Sequence, residues 1–144
     1  MDGYSRIIVG VDGSEQSRKA LEYACTAAAE SGAEVVALST WTEPPLPIDP
    51  PFGSFPWGVS STMREAVTQL VEGVVDDAEA GHPDVKIHRR IEPGNAAQAL
   101  IEASKEADLV VVGSHGHGGF AGMLLGSVSQ HVVAHSSCTV AVVR

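Results

Sequence analysis

The chain has 144 residues, of which 44% are hydrophobic and 19% charged. That length fits one domain over residues 1–144, able to bury about two-thirds of its unfolded surface without a metal or disulfide staple. Lys and Arg total 9 against 18 Asp and Glu, a net charge of −9, which argues against any nucleic-acid partner gripped by its phosphate backbone. The two cysteines, Cys25 and Cys138, form no Cys-x-x-Cys pair and are expected to be small buried hydrophobes in a reducing compartment. Met1–Arg6 leads straight into a short apolar run, with no basic region ahead of a long hydrophobic one. No apolar stretch approaches the ~18 residues of a membrane span. A cytoplasmic protein with no membrane partner is expected.

Ile7–Val11 is short, apolar and β-branched, which predicts a buried strand. The period then changes: Ala20, Leu21, Ala24, Cys25 and Ala28 recur at helical spacing, with Ser14 placed to cap the start and Gly32 to end it. Glu34–Thr40 predicts a second strand. Six of the 8 prolines then fall between Pro44 and Pro56, in a loop of about residues 42–58 that cannot be helix or central strand. Its Phe52, Phe55 and Trp57 suit either a lid over a ligand or a self-packed surface excursion. Met63, Ala66, Val67, Leu70, Val71, Val74, Val75 and Ala78 form an amphipathic helix. Thr62 and Glu65 stand at capping-box spacing in front of it, and Gly81 with Pro83 ends it.

Val85, Ile87 and Ile91 alternate with Lys86, His88 and Arg90, which predicts a half-buried strand near a sheet edge. Pro93-Gly94-Asn95 reads as a turn and N-cap for a helix from Ala96 to about Glu106. Leu109–Gly113 is a further buried strand, followed by a glycine-rich loop, a helix over Ser127–His135 and a last strand, Thr139–Val143. Strict alternation of strand and helix predicts an α/β fold, a parallel sheet with helices on both faces.

In such a sheet, ligands bind beyond the carboxyl ends of the strands, where strand order reverses. Two predicted strand ends carry unusual residues. One reads Gly10-Val11-Asp12-Gly13. The other reads Gly113-Ser114-His115-Gly116-His117-Gly118-Gly119, and a helix opens at Gly126-Ser127. Glycines can expose consecutive backbone N–H groups, and a helix start adds its own free N–H groups and a positive dipole end. Together they suit a phosphate chain, although the same glycines would also serve a flexible turn. No Asp or Glu follows Asp108, and Arg144 is the one Lys or Arg beyond it. Phosphate binding there must rest on backbone N–H groups, hydroxyls and Mg²⁺. His115 and His117 lie in the loop and could donate to phosphate, most strongly at lower pH. Walker A is excluded because no lysine precedes Ser127, and the Gly116-x-Gly118-x-x-Ala121 match to a dinucleotide fingerprint follows the wrong strand.

The spacing Gly113-x2-Gly116-x9-Gly126-Ser127 resembles the nucleotide-binding signature of universal stress proteins of the ATP-binding class. The opening Ile7–Ser14, the segment Ala107–Ser114, Leu124–Val128 and the valine-rich last strand are also similar to that family. The resemblance covers nearly the whole chain except the proline-rich loop. It implies an open five-stranded parallel sheet of order 3-2-1-4-5, Rossmann-like, with nucleotide held between the first and fourth strands. It also implies that Asp12 contacts ribose or adenine, with Gly10 and Val11 close by and Thr40 lining the adenine slot. Gly113, Gly116, Gly126 and Ser127 would hold the phosphates, helped by the Val128 backbone, and Ser114 and His115 within that loop are counted with the expected nucleotide-binding residues. ATP, with Mg²⁺, is the implied ligand, and cyclic AMP is a competing one because some relatives bind it. Family members commonly dimerise through the last strand, so a homodimer through Thr139–Val143 is expected.

Rival readings are separable. His131 and His135 stand at i, i+4, but no carboxylate or well-placed cysteine joins them, and ordinary helix histidines are the better reading. An ATP-hydrolysing or nucleotidyl-transferring enzyme would release ADP or pyrophosphate steadily, whereas a binding module would retain intact nucleotide. A nucleotide-free dimerising stress protein would hold neither.

Overall fold

A computed structural model describes residues 3–42, 59–116 and 125–144. Among the described residues nine elements alternate: β1 (Arg6–Gly10), α1 (Glu15–Ser31), β2 (Glu34–Trp41), α2 (Val59–Gly81), β3 (Ile87–Pro93), α3 (Ala96–Ser104), β4 (Leu109–Gly113), α4 (Ser127–His135) and β5 (Thr139–Val143). The strands form one parallel sheet ordered β3-β2-β1-β4-β5, as expected. The order reverses between β1 and β4, so their carboxyl ends open side by side.

Strand periodicity divides the core in two. Ile7, Val9, Val35, Ala37, Leu109 and Val111 point towards α1 and α2, where Leu21, Cys25, Val71 and Val75 meet them. Ile8, Val36, Leu38, Val110 and Val112 point the other way, towards Leu100 of α3 and Val132 of α4. Both faces of the central strands are therefore dry, which explains their unbroken valine and isoleucine runs. β3 lies at one edge with exposed His88, Arg89 and Arg90, and β5 at the other with Val140–Val143 half-buried.

Helix ends follow local chemistry. The Ser14 side chain accepts from the Ser17 N–H at the start of α1, and Gly32 takes the left-handed conformation that closes it. The Asn95 side chain caps α3 by accepting from the Gln98 N–H. The end of α3 at Ser104 rather than Glu106 is a terminal-turn difference. The larger correction concerns α2, which starts at Val59, so Thr62 and Glu65 lie inside it and form no capping box at its start. No proline occurs between residues 57 and 82, and nothing in the backbone forbids the extra turn. Cys25 is buried, and burial pushes its thiol up to about 11. Cys138 is only half-buried, because it precedes the edge strand. Residues 43–58, nearly all of the proline-rich loop, lie outside the described residues.

Two ionic features tie the periphery. Arg89 of β3 reaches Glu72, Asp76 and Glu79, three acids on one face of α2. The Asp108 carboxylate accepts from the N–H groups of Ser5 (2.8 Å) and Arg6 (3.0 Å), fastening the front of β1 to that of β4. Those two bonds hold the Asp108 carboxyl below the ordinary aspartate range. A depressed native pKa stabilises the fold above the unfolded-state value, and that contribution disappears as pH falls through the native one. Asp108→Asn is therefore expected to flatten the acid limb of the stability curve, measured by urea denaturation between neutral pH and the acid transition. An unchanged acid limb would show that the two bonds carry no linkage.

Candidate functional site

A cleft of about 360 Å³ opens where β1 and β4 diverge. Ten of the predicted positions line it: Gly10, Val11, Asp12, Thr40, Gly113, His115, Gly116, Gly126, Ser127 and Val128. The eleventh, Ser114, does not line it. It is 2% exposed and acts from beneath: its N–H donates to the Val143 carbonyl, its carbonyl accepts from the Gly126 N–H, and its Oγ lies 3.0 Å from His115 Nδ1. His117, Gly118 and Gly119 fall in 117–124, outside the described residues.

The β1 side is built by polar residues in tight turns. Asp12 Oδ1 accepts from the Ser14 N–H (2.8 Å), and the Asp12 N–H donates to Ser17 Oγ (3.3 Å). Gly13 holds a φ of +85°, which a side chain rarely adopts. Val11 donates its N–H to the Leu38 carbonyl (2.9 Å), while the Ser39 hydroxyl donates to the Val11 carbonyl (2.7 Å). Alternation along β2 turns the Thr40 backbone to the same side as that of Leu38, beyond the end of β1 and towards the cleft.

The β4 side is built around α4. Its N-cap is Gly126, which has no side chain to bond the first turn, in contrast to Ser14 and Asn95. The first-turn N–H groups of Ser127, Val128 and Ser129 have no acceptor within their own helix. Gly126 spends its own N–H on the Ser114 carbonyl at 2.6 Å.

Packing gives the glycines different reasons to be glycine. A Cβ on Gly113 would stand 2.8 Å from Gln16 Cβ and 2.9 Å from the Gln16 carbonyl carbon, so β4 meets the first turn of α1 here. A Cβ on Gly116 would stand 2.6 Å from Asp12 Oδ2, so the carboxylate lies against the loop across the cleft. No Lys or Arg is among the described lining residues, whose ionisable side chains are Asp12 and His115.

Nine lining residues were not singled out from sequence as site residues: Ser17, Leu38, Ser39, Val67, Leu70, Ala96, Leu100, Val112 and Ser129. Val67 and Leu70 belong to the apolar stripe of α2, which reads as core throughout. Only its rear half is: Val71, Val74, Val75 and Ala78 are buried, whereas Leu70 is 38% exposed and overlooks Gly13. Ser39 did leave a signal, the first hydroxyl after the apolar run Val35-Val36-Ala37-Leu38.

A sequence model described as "Universal stress protein family" matches residues 3–144. The chain belongs to that family. A universal stress protein of Mycolicibacterium smegmatis is 41% identical over 138 residues, covering 96% of this chain and 45% of the relative. The chain thus spans about half the length of the curated relatives it matches. Among solved structures, a universal stress protein in complex with cAMP is 30% identical, with a TM-score of 0.70 over 99% of this chain and 98% of its own. A universal stress protein from Archaeoglobus fulgidus in complex with dAMP is 17% identical, with a TM-score of 0.63 over 98% of each chain, and shares the fold. No described helix is long and apolar enough to cross a membrane.

Proposed function

We propose that this universal stress protein binds an adenine nucleotide, ATP with Mg²⁺, in the cleft between β1 and β4, as a cytoplasmic stress-response module. One observation carries the reading: a single cleft joins an apolar slot to the side-chain-free cap of a helix. Leu38, Val67 and Leu70 would sandwich a planar base, which recovers about 25 cal/mol per Å² of apolar surface removed from water. The Thr40 N–H and C=O, on the same edge of the strand, would match the adjacent acceptor and donor on the adenine edge. Asp12 would take the ribose. The first-turn N–H groups of α4 and the Gly113–Gly116 loop would take the phosphates, with the helix dipole favouring their charge.

The fit to Mg²⁺ follows from charge. Asp12 lies against the Gly116 loop and no Lys or Arg is among the described lining residues, so a triphosphate there needs a counter-ion. Mg²⁺ would be held by phosphate oxygens and face Asp12, and it would supply charge neutralisation. Cyclic AMP is the second reading. A 30% identical structure contains it, and a ligand with one phosphate charge needs no cation.

β5 supplies the partner side of the proposal. Residues Val140–Val143 are half-buried on an edge strand whose outer hydrogen-bonding groups invite pairing, and a second copy would cover them. Native mass spectrometry of freshly purified protein tests both points. The expected species is about twice the 15.0 kDa chain mass plus adenine nucleotide, which denaturation should release intact. Steady appearance of ADP would move the reading to an enzyme. A nucleotide-free monomer that also fails to take up added ATP or cyclic AMP would overturn the proposal.

A further inference from the structure

The helices that leave β1 and β4 carry a shared device. In α1 the cap is Ser14 and the third helical residue is Ser17. In α4 the cap is Gly126 and the third helical residue is Ser129. Both third-position serines are buried and both line the cleft. Each hydroxyl lies 3.0 Å from the carbonyl of its own cap residue. Each also makes one bond into the loop that leads from the preceding strand. Ser17 Oγ accepts from the Asp12 N–H at 3.3 Å, and Ser129 Oγ shares its one proton between the Gly126 carbonyl and the Ser114 carbonyl 3.1 Å away.

The bond to the cap is ordinary. Serine and threonine hydroxyls in helices often return to a carbonyl one turn back, as Thr26, Ser31, Thr68 and Ser104 do here. The bond to Ser114 is different, because it spans 15 residues and joins α4 to the exit of β4. Ser114 is itself held from the far side by the bond from its N–H to Val143 (2.7 Å). Its carbonyl therefore receives two donors from α4, the Gly126 N–H and the Ser129 hydroxyl, at a point anchored in the sheet. A glycine cap leaves the first turn open to an anion but gives up the side-chain bond that normally fixes such a turn. Ser129 restores that fixation without covering the N–H groups.

We propose that Ser129 and Ser17 are paired positioning residues: Ser129 sets the phosphate-facing turn of α4 against the β4 loop, and Ser17 sets Asp12 on the ribose side. The inference rests on the nucleotide reading above. It divides labour between two similar residues, so their variants should fail differently.

The test measures affinity for Mg²⁺·ATP and for adenosine, by calorimetry, in the full chain and its Ser17→Ala, Ser129→Ala and Ser129→Thr variants. Ser129→Ala should weaken ATP about tenfold and leave adenosine within about twofold, on the scale of one hydrogen bond lost at a buried acceptor. Ser17→Ala should weaken both ligands by similar factors. Ser129→Thr, which keeps the hydroxyl, should regain most of the ATP affinity. Adenosine binding in the same variants reports that the cleft is folded. Equal loss of both ligands in Ser129→Ala would make Ser129 merely structural and overturn the proposal, as would unchanged ATP affinity. Wild-type protein that binds neither ligand would remove the nucleotide reading itself. Binding of both by wild type, with a loss confined to ATP in Ser17→Ala as well as in Ser129→Ala, would also overturn the proposal while leaving the nucleotide reading in place.

Discussion

Gly113→Ala is expected to destabilise the folded chain by about 1–3 kcal/mol, the usual range for forcing a methyl group into a packed site. The new Cβ would meet Gln16 Cβ at 2.8 Å, its carbonyl carbon at 2.9 Å and its carbonyl oxygen at 3.0 Å. Two of those three atoms are backbone in the first turn of α1. That turn cannot retreat without dragging the Ser14 cap and its bonds to Asp12 and Ser17. Gly10 presents a softer case, because a Cβ there would meet Leu100 Cδ1 at 3.1 Å, and that side chain can rotate. Urea denaturation without nucleotide should show a lower midpoint for Gly113→Ala at unchanged slope, and a much smaller effect for Gly10→Ala. A Gly113→Ala variant within about 0.5 kcal/mol of wild type would disprove the packing argument. With the expected destabilisation, loss of nucleotide in Gly113→Ala follows from instability, and Gly116→Ala is the cleaner probe of the loop.

That distinction also marks how far the sequence was readable. Strands with both faces buried leave apolar runs that cannot be hidden, so the five strands, their order with helices and the caps at Ser14 and Asn95 were legible. The glycine spacing located the cleft. It could not say why each glycine is needed, because the neighbour of Gly113 is Gln16, almost 100 residues away in the chain. Periodicity likewise marks an apolar stripe on α2 but not where the sheet beneath it stops. Past that point Leu70 faces the cleft instead of the core. Ser17, Ser39 and Ser129 were missed for a related reason. A small hydroxyl in a helix or strand fits many local patterns, and only tertiary placement gives it a distant partner such as the Ser114 or Val11 carbonyl.

Removal of Mg²⁺ should weaken ATP binding about tenfold while leaving cyclic AMP within about twofold. A carboxylate about 5 Å from a phosphate charge costs on the order of 3 kcal/mol at an effective dielectric near 20. Asp12 is solvent-exposed, so screening reduces this to roughly 1–2 kcal/mol, or about five- to thirtyfold in affinity. No lysine or arginine among the described lining residues offsets it. ATP carries several charges into that field and cyclic AMP carries one, so chelation separates them. Asp12→Asn removes the charge but keeps an oxygen for the Ser14 N–H, so the turn at 2.8 Å should persist. In that variant the effect of EDTA on ATP should shrink to a few-fold at most, measured by calorimetry at constant ionic strength. Equal ATP affinity with and without Mg²⁺ in wild type would remove the argument from Asp12. A full Mg²⁺ requirement in Asp12→Asn would mean that the cation answers the charges within the triphosphate rather than the carboxylate lying against Gly116.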